Sequence, residues 1–135
     1  MALGRREAKQ AGMWVATKDL PRSPGHVFYE KLNRLLAEGD FDRKVEELCR
    51  PYYDDVMGRP SIAPGVYFRM LFVGYFEGLD SQRAIAWKCS DSLSVRTFLG
   101  LEVSEAVPDH SSLTRIRQRL PLEVHVAVFT LVLDR

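Results

Sequence analysis

The residues best equipped for chemistry lie between Asp109 and Leu120, and the chemistry they suit is hydrogen bonding to a nucleic acid. Read as a helix opened by Pro108 and capped by Asp109, this stretch sets Leu113, Ile116 and Leu120 at i, i+3 and i+7 on one narrow apolar stripe. The opposite face carries Ser111, Thr114, Arg115, Gln118 and Arg119. Each of these side chains can hydrogen-bond phosphate or base edges, and none is acidic. Arg115 and Arg119, four residues apart, can reach phosphate or guanine O6 and N7, and Gln118 suits adenine N6 and N7. Arg117 flanks the stripe, placed to bind phosphate or to pair with a carboxylate. On composition alone, a solvated, arginine-bearing surface is the simpler reading.

Other chemistries lack their residues. His26, His110 and His125 are scattered, and none has a Cys, His or carboxylate at metal-ligand helical spacing. Asp109 and His110 are neighbours, which do not face each other on a helix, so His110 reads as part of a capping turn. Asp54 and Asp55 are adjacent in a loop and would need further oxygens to hold a metal. No glycine-rich phosphate loop and no nucleophile constellation occurs. Cys49 and Cys89 are forty residues apart in helical patterns, which points to buried, reduced thiols rather than a disulfide scaffold.

The elements that must position the Asp109–Leu120 helix read as helical throughout. Residues 1–24 mix charges and small residues and form a flexible basic arm, whose Arg5, Arg6 and Lys9 could add DNA-backbone or minor-groove contacts. Residues 25–135 form the helical domain. Phe28, Leu32, Leu35 and Leu36 mark an amphipathic helix ending at Gly39. Phe41, Val45, Leu48 and Cys49 mark a second, stopped by Pro51, and the acidic faces of both read as solvated surface. A loop runs from Tyr52 through Gly58-Arg59-Pro60. Pro64 opens a third helix, to Glu77, that is apolar nearly all round and so should be the buried centre, with Tyr67, Phe72 and Phe76 mostly buried and Phe68 and Tyr75 also in the core. Asp80 or Ser81 caps a fourth helix through Cys89, and a fifth spans Ser94 to Leu99, closed by Gly100. After the Asp109–Leu120 helix, Pro121 and Glu123 restart a last one, although its Val, Phe and Thr content also suits a strand. The fold class is all-α, with a helix, glycine turn and helix giving it a helix-turn-helix-like part.

A chain of 135 residues holds one domain with a modest core, and 46% hydrophobic with 27% charged residues excludes a disordered class. The net charge of +1 hides an asymmetry. Residues 1–22 carry five basic and two acidic side chains, residues 28–55 five and eight, and residues 81–120 six and four. The arm and the Asp109–Leu120 region are basic while the helices between them are acidic, which favours a nucleic-acid face on one side. The basic N-terminal residues are followed by no apolar core of a signal peptide, and Val66–Phe76 contains Arg69 and falls short of the ~20 apolar residues that cross a bilayer. No membrane partner is expected. The apolar run Val124–Leu133 meets Asp134-Arg135 with no capping glycine or polar tail, so it is expected to pack on something that follows.

The string Pro108-Asp109-His110-Ser111-Ser112-Leu113-Thr114-Arg115-Ile116-Arg117-Gln118-Arg119-Leu120 closely resembles the hallmark of the N-terminal domain of bacterial insertion-sequence transposases with a DDE-type, RNase H-like core. The resemblance extends over nearly the whole chain. Gly58-Arg59-Pro60, Pro64 to Leu71, Gly78 to Arg83 with Trp87, and Arg96 to Leu101 are similar to the family's segments in the same order. It implies sequence-specific binding of double-stranded DNA at terminal inverted repeats, in the bacterial cytoplasm in association with the nucleoid. It also implies three acidic residues holding two Mg²⁺ in a catalytic domain that begins beyond Arg135. No Asp or Glu of this chain matches that set. The chain is therefore expected to be the N-terminal piece of a longer protein, to need no cofactor itself and to be catalytically silent. Two rivals stand beside this reading: a helical module for self-association or for docking the catalytic domain, and an inactive truncated remnant.

Overall fold

The computed structural model describes residues 3–4, 23–53, 62–102 and 104–133. Among these are seven α-helices and no strand: α1 (Pro24–Glu38), α2 (Phe41–Cys49), α3 (Pro64–Glu77), α4 (Gln82–Asp91), α5 (Leu93–Leu99), α6 (His110–Arg119) and α7 (Leu122–Leu133). The all-α class is correct. None of the helices is long and apolar enough to cross a membrane.

Local chemistry explains most of the boundaries. Pro24 occupies the first turn of α1, where its missing N–H costs nothing, so the helix starts one residue earlier than the 1–24 arm expected from sequence allows. The Ser23 N–H donates to Nδ1 of His26 at 3.1 Å, which gives that histidine a structural task. Between α1 and α2 the left-handed residue is Asp40, at φ 57°, rather than Gly39; aspartate is one of the few side chains that tolerates this region. Ser81 and Ser92 cap α4 and α5, accepting from the N–H groups of Ala84 at 3.0 Å and Val95 at 3.3 Å. The last element is a helix and not a strand, in keeping with a set of described residues that offers no strand edge to pair with.

α3 is the central element and packs against α2, α4 and α5; α6 is carried on α4, and α7 lies along α2. Tyr67, Phe68, Met70, Phe72 and Val73 are buried on α3, with Val45, Cys49, Cys89, Val95, Phe98, Leu113 and Val128 closing round them. The expected core is corrected at its edges. Phe76 is 40% and Tyr75 60% exposed, because the last turn of α3 runs past the helices that cover its middle. There Phe76 meets Phe28 edge to face and Tyr75 reaches Phe129. Phe28, Leu35 and Leu48 are also exposed, so the apolar stripes of α1 and α2 are narrower than their periodicity suggests.

The acidic face of α2 needs a second correction. Asp42 is not merely solvated: it grips the guanidinium of Arg69, a residue only 9% exposed, through Nη1 at 2.7 Å and Nη2 at 3.0 Å. Nε of Arg69 donates to Oδ1 of Asn33 at 3.0 Å, and Asn33 in turn donates to the Phe98 carbonyl at 3.3 Å. The rings of Phe41 and Phe98 lie 5.4 and 5.9 Å from the guanidinium carbon. One side chain thus joins α1, α2, α3 and α5. Gly65 makes room for it, since a Cβ there would stand 2.0 Å from Oδ1 of Asp42.

Candidate nucleic-acid interface

α6 is built from both ends inward. Gly100, at φ 80°, closes α5, with Leu101 N–H donating back to the Arg96 carbonyl at 3.0 Å. Only glycine enters this backbone region without strain. Arg96 then ties down the segment leading to α6, donating to the carbonyls of Ser90 and Glu105 at 2.9 Å each. Asp109 caps α6 by accepting from the Ser112 N–H at 2.9 Å. That bond, supported by the nearby positive charge of Arg115, holds its carboxyl below the usual carboxylate range. The helix stops at Leu120, whose extended backbone precedes Pro121.

Leu113, Ile116 and Leu120 are buried, as their spacing predicts. Ser111, Arg115 and Gln118 therefore face outward, and all three are exposed. Arg117 and Arg119 are exposed on the flanks. Among the described residues none of Arg115, Arg117 and Arg119 pairs with a carboxylate. Elsewhere the pattern differs: Arg43 is held by Asp40 and by Glu47 at 2.9 Å, Arg69 by Asp42, and Lys88 by Glu77 at 3.4 Å.

Two contacts fix the helix laterally. The half-buried Thr114 hydroxyl shares its one proton between the His110 carbonyl, at 2.9 Å, and the side-chain carbonyl of Gln82 on α4, so this candidate residue is turned towards the neighbouring helix. On the other flank the Arg119 guanidinium stands 5.1 Å over the ring of Tyr53. That geometry supports a cation–π contact and points the arginine along the surface. Gln82 and Tyr53 were not legible as site residues, because each meets α6 only through tertiary packing. Arg5, Arg6 and Lys9, like Asp54, Asp55 and Gly58-Arg59-Pro60, lie outside the described residues.

The histidines stay apart. His110 opens α6, and His125 on α7 places Nε2 2.7 Å from the Tyr67 hydroxyl and Nδ1 3.1 Å from the Pro121 carbonyl. Burial pushes the Tyr67 hydroxyl up to about 12, with Arg117 pulling it partly back. No three His, Cys, Asp or Glu among the described residues gather as metal ligands.

Fold and face together define a small all-α domain that presents one basic, acid-free helix at its surface. The chain belongs to the family described as Transposase domain (DUF772), whose model matches residues 17–119. The matched segment ends on Arg119, the last residue of α6, and so contains the candidate helix entire while leaving α7 outside. No curated protein and no solved structure matches the chain.

Proposed function

We propose that this transposase domain is the DNA-gripping part of a transposase of the DDE class, binding the terminal inverted repeats of its element through α6 in the bacterial cytoplasm. The observation that supports this most is the outward face of α6: Ser111, Arg115 and Gln118, flanked by Arg117 and Arg119, with no carboxylate paired to any of these arginines among the described residues. Arg115 and Arg119 contact phosphate or guanine, and Gln118 reads adenine. Thr114 and Gln82 hold the helix at its angle. Arg5, Arg6 and Lys9 add backbone contacts from the arm. In this reading the phosphodiester chemistry and its Mg²⁺ belong to a catalytic core, and this domain supplies grip and register.

The test is a gel shift with a duplex carrying the terminal repeat against a scrambled duplex. Binding that prefers the repeat, and that the Arg115→Ala/Arg119→Ala double variant loses, supports the proposal. Unchanged binding by that variant at moderate salt sinks it.

A second reading has its own observation. Leu122, Val126 and Leu133 lie exposed along α7, and a cavity of about 230 Å³ opens between α1, α2 and α7, lined by Leu32, Leu36, Phe41 and Val132. These apolar surfaces favour a docking role, for self-association or for the catalytic core. Sedimentation velocity on a Leu122→Ser/Val126→Ser variant separates it: loss of self-association with DNA binding intact assigns that role to α7.

A further inference from the structure

We infer that the DNA-facing surface is made by two helices, with Arg83 of α4 contacting the phosphate backbone beside α6. The inference rests on the reading of α6 as the DNA-facing helix and extends it to a residue outside that helix. Three contacts fix how α4 is turned. Ile85 lies so close to Gly74 of α3 that a Cβ on the glycine would fall 2.6 Å from its Cδ1. Lys88 pairs with Glu77, also on α3. The Ile85–Lys88 flank therefore faces α3. Gln82 meets Thr114, so its flank faces α6.

Successive helical residues are rotated by about 100°. Arg83 thus comes next round α4 from Gln82, on the side turned away from α3, and borders the outward face of α6. It is exposed and pairs with no carboxylate among the described residues. Lys88, on the opposite flank, is paired. Trp87 follows one turn after Arg83 on the same stripe and is 67% exposed, so no other described helix covers this flank. Arg83 and the arginines of α6, with no acidic residue on that helix and none of them paired to a carboxylate among the described residues, complement DNA phosphates. An exposed arginine at the edge of that group meets the backbone rather than a base edge, because backbone contacts surround the groove contacts that read sequence.

The test measures how the affinity of the full chain for a labelled mixed-sequence duplex falls with salt, by fluorescence anisotropy. Each lost phosphate contact lowers the slope of log K against log salt by about one. Arg83→Ala should lower it by about one, and Arg83→Lys should keep it. Circular dichroism matching the parent confirms that the exposed substitution leaves the fold intact. Arg43→Ala, whose side chain is already held by Asp40 and Glu47, should leave the slope alone. If Arg83→Ala keeps the parental slope while Arg115→Ala/Arg119→Ala reduces it, the inference about α4 falls and the α6 reading stands. If neither reduces it, both fall, and this arginine cluster serves a protein partner instead.

Discussion

The guanidinium of Arg69 is the side chain on which the interior depends most. A buried charge is tolerable only while its partner stays, because removing the partner leaves the desolvation cost uncompensated. Asp42→Ala should therefore destabilise the domain by about 2–3 kcal/mol in urea unfolding, somewhat below a fully buried pair because Asp42 is half exposed. Gly65→Ala should act in the same direction through the space it takes from the Asp42 carboxylate. The thiols make a separate case. Burial pushes Cys49 up to about 11, and burial with the charge of Glu77 pushes Cys89 up to about 12, joining Tyr67. A folded-state pKa raised above the unfolded one contributes stability that is complete below the unfolded value and is lost as pH rises towards the folded value. The urea midpoint should hold steady through neutrality and fall between about pH 9 and 12. At neutral pH both thiols should resist alkylation until the chain unfolds.

At the scale of the helix, α6 is held at its start by one carboxylate and along its length by one hydroxyl. The depressed pKa of Asp109 means that its capping strength is present above the ordinary aspartate pKa and fades as pH falls through the lowered one. Asp109→Asn keeps a capping oxygen and removes the titration, so the acid-side loss of stability should shrink in that variant, measured by thermal melts against pH. Thr114→Val, which keeps the shape but removes the link to Gln82, should cost about 1 kcal/mol. These helices were legible in the sequence wherever their determinants are local. Pro64, Ser81, Gly100 and Asp109 sit at the ends of their helices, and Leu113, Ile116 and Leu120 are buried as a stripe should be. The Arg69–Asp42 pair, the Gln82–Thr114 link and the Tyr53 ring beneath Arg119 were not legible. They join residues distant in the chain, and no periodicity records which helix will lie beside which. Phe76 and Tyr75 were misplaced for the same reason: hydrophobicity says that a residue can be buried, and only the neighbours decide whether it is.

Taken whole, the molecule carries a net charge of only +1, so the DNA binding proposed for it must come from where its charges sit rather than from their sum. Binding should therefore depend steeply on salt despite near-neutrality, a property that anisotropy at two ionic strengths reads directly. The meeting of four helices on one guanidinium also bears on how the domain comes apart. α1 reaches Arg69 through Asn33, α2 through Asp42 and α5 through the Phe98 ring, while the Phe98 carbonyl holds Asn33, so none of them can leave without exposing a charge that the others still enclose. Partial opening is thereby penalised across that group, while α6 hangs on α4 outside it. Native-state hydrogen exchange should show the amides of α1, α2, α3 and α5 sharing one opening free energy and one urea dependence, with those of α6 released earlier. The surface proposed to meet DNA can then yield and re-form while the frame that carries it stays shut.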